Sequence, residues 1–403
     1  MGQHTAPPPR LLYLADVRVE ATHSGAMQLF RLLEYYPPNQ LLIVESNLEP
    51  ETPSRRLNQV NYLEIPLVNR KIMHSRLHKY YASWISAVSS NHIRKIPKII
   101  GAFRPEAVLT VMHSYSWLTA ARLAAHLKIP LHVICHDDWP RMTSVMDCLK
   151  PFIDSQFGAT YRLAASRLCV SPFMRQDYMR RYGVDSELLY PCRGATDPEF
   201  STPPTRLEKA AQGLTIAFAG SITSNDFFQL FSELARILEP LGGKLLLFGS
   251  LTTEQARRNG LLNTNIHIRG FIERSEDLIN ILRKEADVLF VPMSFEARHR
   301  ANMEINFPSK LTDYTAAGVP LLIQGPDYCS AIRWANDNPG VAAVLTTPHT
   351  DDLLEVVRRL SADADWRKSL STNAINAGKC HFSYNHAQEL FLNALTCAAH
   401  NDI

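Results

Sequence analysis

Residues 306–322 read Asn-Phe-Pro-Ser-Lys-Leu-Thr-Asp-Tyr-Thr-Ala-Ala-Gly-Val-Pro-Leu-Leu. Phe307-Pro308-Ser309-Lys310 predicts a turn in which Ser309 caps a helix beside a proline, followed by a cation. Leu311 to Ala317 suits a short helix with Asp313 in its first turns, and Gly318 stops it. Val319 to Ile323 is an apolar run short enough to be a buried strand. A helix N-terminus presents unpaired N–H groups and the positive end of a dipole, so it attracts anions. Lys310 adds a full charge there, and Asp313 lies about one turn further on, within reach of hydroxyls attached to the anion. A nucleoside diphosphate with its ribose fits that set. Ordinary α/β punctuation, with Lys310 as a solvated charge, fits the same letters.

Outward from this segment the chain alternates strand and helix. Leu11 to Ala15 reads as a first buried strand, Asp16 to Ser24 as a polar loop, and Gly25 opens a helix with Met27, Phe30, Leu32 and Leu33 on it. Pro37-Pro38 ends the helix and Leu41 to Val44 is the next strand, which completes a nucleotide-fold unit. No Gly-x-Gly-x-x-Gly follows the first strand, which argues against an NAD site. Further strands are expected at Ala107 to Val111, Leu131 to Cys135, Arg167 to Val170 and Glu187 to Tyr190. Each ends in polar or small residues, as parallel strands do where ligands bind. His136-Asp137-Asp138-Trp139-Pro140 follows one of them, so His136 would point out of the carboxyl edge; His113 is its rival after Val111-Met112. A histidine beside two acids also serves as a structural hydrogen-bonder.

Ile65 to Pro105 contains Arg70, Lys71, Arg76, Lys79, Arg94, Lys95, Lys98 and Arg104 with no Asp or Glu. Tyr80, Tyr81 and Trp84 are interleaved, a mixture that suits an anionic membrane surface, or equally two core-facing helices with a solvated basic face. Pro191 to Pro204 is rich in Pro, Gly, Ser and Thr and reads as a linker. A second series follows. Its strands are expected at Leu214 to Ala219, Lys244 to Phe248, Ile266 to Ile268, Asp287 to Val291, Val319 to Ile323 and Val341 to Leu345. Gly220-Ser221 is its first turn, and Asp351-Asp352 would cap a late helix.

The length of 403 residues suits two domains, and 46% hydrophobic with 20% charged residues describes a globular protein. A net charge of +3 gives no indication of nucleic acid. The seven cysteines include no Cys-x-x-Cys pair or zinc-ligand spacing and are expected to be reduced thiols. No run is long enough to cross a bilayer and Met1 to Arg10 lacks the apolar part of a signal peptide, so a cytoplasmic protein is expected, peripheral on the inner membrane face where the basic stretch engages it.

The pattern Phe-Pro-Ser-Lys-Leu-x-Asp-Tyr-x-Ala-Ala-Gly-x-Pro resembles the nucleotide-sugar segment of GT-B glycosyltransferases, in the retaining, family-four-like branch that includes many cell-surface polysaccharide enzymes. The resemblance implies an α/β protein of two Rossmann-like domains facing each other across a cleft. Residues 1–195 would bind the acceptor, 205–383 the donor, and a helix within 384–403 would return to the first domain. Ser171 to Val184 resembles the family's Ser-led helix ending in Tyr-Gly. By the same resemblance the Ser309-Lys310 turn approaches the diphosphate and Asp313, five before Gly318, takes the ribose hydroxyls. Ser24-Gly25 occupies the place of the first-domain glycine turn near the donor phosphate. His136 matches the histidine that contacts the donor sugar, because Asp137 follows it; these two are the catalytic candidates. Gly220, Ser221, Phe271, Arg300, Glu304 and Pro308 complete the donor-binding set.

Two departures stand out. The Gly220 turn lacks the Arg and Lys that hold the diphosphate in many relatives, which leaves Lys310 and then Arg298 and Arg300 as counter-charges. The first of the two glutamates of many relatives falls at Ile305, with Glu304 and Glu296 nearby. The expected function is transfer of a sugar from a nucleoside-diphosphate sugar to a glycan or lipid-linked acceptor in cell-surface polysaccharide or glycolipid synthesis, without cofactor or metal. An isomerase resembling the nucleotide-sugar 2-epimerases, using Asp137, Asp138 or Glu296, and a non-catalytic nucleotide-binding partner remain the alternatives.

Overall fold

The structure is a computed structural model that describes residues 7–22, 24–208, 213–222 and 224–396, with the backbone alone at Lys95. The chain divides into two compact units: one up to Tyr190 together with the segment from Asn385, the other Pro191–Tyr384.

The first unit is built on a seven-stranded sheet in the order β3-β2-β1-β4-β5-β6-β7. Its strands are β1 Leu11–Ala15, β2 Leu41–Ser46, β3 Asn61–Ile65, β4 Ala107–Val111, β5 Leu131–Cys135, β6 Ser166–Cys169 and β7 Glu187–Leu188. All pairings are parallel. β1, β2, β4 and β5 are buried along their whole length, as continuous apolar runs covered by helices on both faces must be. β3 is an edge strand that was not expected: Asn61-Tyr62-Leu63-Glu64 is largely exposed, so it lacks the apolar signal of the interior strands.

The second unit has a six-stranded parallel sheet in the order β10-β9-β8-β11-β12-β13. Its strands are β8 Thr215–Ala219, β9 Lys244–Phe248, β10 Ile266–Gly270, β11 Val288–Pro292, β12 Leu321–Gln324 and β13 Ala342–Leu345. Phe218, Phe231 and Phe290 form its aromatic centre, with the Phe218 and Phe231 rings 4.9 Å apart.

In both sheets the chain runs outward from a central strand in one direction, then returns to that strand's other side. The switch points lie between β1 and β4 and between β8 and β11. Ligands of open α/β sheets bind outside the carboxyl ends at such points.

Two expectations are corrected. Pro191 to Pro204 forms no helix or strand, yet it is packed into the second unit rather than being a loose linker. Arg193 is buried there, its N–H donates to Phe382 O at 3.0 Å, and Asp197 accepts from Gly194 N at 2.6 Å and Ser275 Oγ at 2.5 Å. Asp351 and Asp352 lie inside the first turn of the helix Thr350–Ala362, after His349, and do not cap it. The last helix is described over Tyr384–Thr396; Gln388 Nε2 donates to Arg31 O (2.8 Å) and Leu32 O (3.1 Å), which ties the helix to the first unit, and residues 397–403 lie outside the described residues.

Candidate functional site

In the second unit a cavity of about 470 Å³ opens at the carboxyl ends of β8 and β9. Gly220, Ser221, Ser224 and Asn225 line it from the loop after β8, Ser250 and Leu251 from the loop after β9, and Arg298 and His299 from the loop after β11. Close approach explains the glycines. Gly220 and Gly249 have φ of +142° and +144°, and a Cβ on Gly249 would lie 2.4 Å from Gly220 O. Asp226, the first residue of the helix Asp226–Leu238, holds the two walls together: one carboxylate oxygen accepts from Ser294 Oγ at 2.9 Å and from Phe295 N at 3.0 Å. Ser294 Oγ lies 3.2 Å from Ser224 Oγ.

Beside this cavity stands the helix Lys310–Ala317, which Gly318 ends in the left-handed conformation at φ +63°. Tyr314 pins it to the end of β8, accepting from Ala219 N at 2.6 Å and donating to Ala219 O at 3.2 Å. Phe307 anchors the preceding turn against Trp334 and Phe382, at centroid distances of 6.1 and 5.8 Å. Ser309 does not cap with its side chain. It is already helical (φ −56°, ψ −23°), whereas side-chain capping needs an extended backbone. The helix starts instead with a tight turn in which Leu311 N and Thr312 N donate to Pro308 O and Ser309 O, both at 3.1 Å. The N–H groups of Ser309 and Lys310 precede this turn, at the end of a helix where N–H groups have no partner within the helix.

Lys310 reaches Gly220. A Cβ on Gly220 would meet Lys310 Nζ at 3.7 Å, and Nζ sits 4.2 Å above the Phe218 ring centroid. The residue keeps some surface, but its ammonium end is surrounded by protein, and this desolvation lowers its pKa to about 7. Asp313 is half-buried, with Thr312 Oγ1 at 3.3 Å, and its charge is felt by the buried Arg193 guanidinium. Of the expected donor set only Gly220 and Ser221 line the cavity; Pro308, Ser309, Lys310 and Asp313 stand beside it, with Lys310 meeting it at Gly220, and Phe271, Arg300 and Glu304 are not among its lining residues. Arg300 Nε is paired with Glu304 Oε1 at 2.8 Å and its guanidinium lies over Tyr328, while Phe271 is exposed.

In the first unit the structure brings Gly25 and His136 together: a Cβ on Gly25 would be 2.8 Å from His136 Nδ1. Ser24 begins the helix Ser24–Leu33 beside them. Burial lowers the His136 pKa to about 4, with Asp137 pulling it up and His113 pushing it down, so this imidazole is neutral at physiological pH. Asp137 faces the rival histidine as well. Its carboxylate lies 3.3 Å from His113 Nδ1, an ion-pair distance without hydrogen-bond alignment, and the His113 ring lies 4.7 Å from Trp139. The turn carrying His113 is held firmly. Asp16 accepts from Tyr115 N and Ser116 N, both at 2.6 Å, and from Ser116 Oγ at 2.8 Å, while Ser114 adopts φ +60°. Asp138, counted among the available acids, is instead buried and bonded to Arg181 at 3.0 and 3.1 Å.

The sequence reading did not include Asp16, Asp226, or the cavity wall from Ser250 to Asn259. A signal existed for the wall: Gly249-Ser250 follows an apolar strand next to β8, at the same carboxyl edge.

The model of Glycosyltransferase Family 4 matches residues 50–195. No curated protein sequence matches the chain. Similar solved structures include Anabaena HepE in complex with UDP and glucose, at TM-score 0.65 and 12% identity over 96% of this chain and 99% of that one. Sucrose-phosphate synthase from Thermosynechococcus elongatus follows at TM-score 0.66 and 13% identity, over 94% and 96%. An α,α-trehalose-phosphate synthase (UDP-forming) from Burkholderia vietnamiensis aligns at TM-score 0.64 and 12% identity over the whole of both chains. With two parallel α/β units and these neighbours, the chain has the GT-B fold.

Proposed function

We propose that the chain is a glycosyltransferase that moves a sugar from a nucleoside-diphosphate sugar to an acceptor. The observation that carries this is Lys310, held against Gly220 where a cavity meets a helix N-terminus. As the bond from the anomeric carbon to the diphosphate oxygen breaks, negative charge grows on the leaving phosphates. A cation and backbone N–H groups fixed at that point stabilise it without reorganising. Asp313, about one turn into the helix, accepts from the ribose hydroxyls. This arrangement calls on no metal. The match of residues 50–195 to a glycosyltransferase family and the UDP complex of HepE support the reading and make a uridine diphosphate sugar the first donor to test.

His136 and Asp137 remain the catalytic candidates of the first unit. Neutral His136 offers a hydrogen bond to a sugar hydroxyl, and the Asp137 carboxylate lies beside His113. The finer parts of the proposal are a hexosyl donor, a glycan or lipid-linked acceptor in cell-surface polysaccharide or glycolipid synthesis, and a cytoplasmic enzyme working at the inner membrane face. A thermal-shift screen over nucleoside diphosphates and their sugars tests donor binding, because a ligand that binds only the native state raises the melting temperature. One nucleotide family should raise it for the wild type and much less for Lys310→Met. No response to any of them would overturn the proposal.

A further inference from the structure

The helix His78–Val88 packs on the first unit through Ala82, Ser83, Ile85 and Ser86. At about 100° per residue, Leu77, Tyr80 and Trp84 fall within an arc of about 60° on the opposite side. There a surface helix ordinarily carries charge. They are 59%, 64% and 56% exposed. Tyr81 stacks on Trp84 at 5.7 Å and accepts from Asn69 N at 2.7 Å, so the Trp84 ring is braced rather than loose. The chain from Ile65 to Pro105 has no acidic residue. Arg70 is tied to Asn47 O and Glu49 O, and Lys79 to Asp147, but Lys71, in the short helix Arg70–Met73, and Arg76, in the turn after it, are exposed.

We propose that this stripe is a membrane-contact face: Leu77, Tyr80 and Trp84 enter the headgroup layer of an anionic bilayer while Lys71 and Arg76 meet its phosphates. Two features on the same surface select a lipid partner. An indole and a phenol are favoured at headgroup depth, and the segment Ile65–Pro105 that carries Lys71 and Arg76 contains no acidic residue of its own. Among the described residues no helix is long and apolar enough to cross a membrane, so the contact is with one leaflet. The contact is independent of the sugar chemistry, and its test needs no substrate.

The full chain is sedimented with vesicles of phosphatidylcholine alone, or with about 30% phosphatidylserine, at about 50 and about 500 mM NaCl. Binding is expected to the anionic vesicles at low salt and to fall at least tenfold at high salt, with a roughly tenfold loss for Leu77→Ser/Tyr80→Ser/Trp84→Ser and for Lys71→Glu/Arg76→Glu. Tryptophan emission should shift to the blue on binding, and Trp84→Phe should remove most of the shift, since Trp84 is the exposed one of the five tryptophans, Trp139 and Trp366 being half-buried and Trp117 and Trp334 buried. Circular dichroism of each variant separates lost binding from lost folding. Recovery of the wild type in the supernatant under all four conditions overturns the proposal. So does a wild-type dimer that the stripe variant turns into monomer, which would assign the stripe to a second copy of the chain.

Discussion

Raising the pH should weaken donor binding through Lys310. Desolvation of the ammonium lowers its pKa to about 7, against 10.5 for an unperturbed lysine. A bound diphosphate supplies the missing counter-charge and restores the charged form, so binding above neutrality must take up a proton. If only the ammonium form binds tightly, affinity follows the protonated fraction. Between pH 6 and 8.5 that fraction falls about 30-fold, or about 2 kcal/mol at 1.36 kcal/mol per pH unit. A nucleotide sugar is the right probe, since each of its phosphates carries one ester and one anhydride link, has no group that titrates near neutrality and keeps its charge throughout. Calorimetry in two buffers of different ionisation enthalpy reads both affinity and protons taken up, with close to one proton expected at pH 8.5. Lys310→Met should bind more weakly at pH 6 and show no slope. Linkage also fixes the effect on stability. Between pH 7 and 10.5 the unfolded chain holds a proton that the folded chain has lost, so this group favours folding more as pH rises. Below pH 7 the folded protein carries the desolvated charge, and Lys310→Met should be no less stable. Constant affinity across the range, or the same slope in Lys310→Met, would refute the role given to this residue.

Asp313→Asn should weaken ribonucleotide binding, because an amide offers one accepting oxygen where the carboxylate offers two; equal wild-type affinity for ribo and 2′-deoxy diphosphates would contradict the assignment. His132 and His136 both have pKa values lowered to about 4 by burial. The unfolded chain therefore binds more protons between pH 6.5 and 4, and stability should fall with pH through that window, less steeply in His132→Gln and His136→Gln by urea denaturation. Asp16→Ala removes three hydrogen bonds to the buried Tyr115–Ser116 turn and should cost about 2–4 kcal/mol in the same assay; a loss under about 0.5 kcal/mol would mean the turn is held by other contacts.

The interior strands were legible because burial on both faces leaves a continuous apolar run: Leu11 to Ala15, Ala107 to Val111, Leu131 to Cys135 and Lys244 to Phe248 fall where they were read. β3 was not, since an edge strand is free to carry Asn61 and Glu64. Within the 306–322 segment the helix and its Gly318 stop came from residue chemistry. The start of the helix did not, because Ser309 is a capping residue type held in a helical backbone by its neighbours. Contacts distant in sequence were invisible: Lys310 over Phe218, Gly25 under His136 and Asp137 facing His113.

Transfer itself is the most direct measurement. A nucleotide sugar labelled in the sugar is incubated with the protein and a membrane extract, and label is followed in nucleotide, free sugar and lipid or glycan fractions. The account predicts that label leaves the nucleotide for an acceptor, one free nucleoside diphosphate appearing per sugar moved, and that Lys310→Met slows this at saturating acceptor. Label that stays on a nucleotide with its sugar isomerised, or a nucleotide sugar that binds and is returned unchanged with every extract, would contradict it.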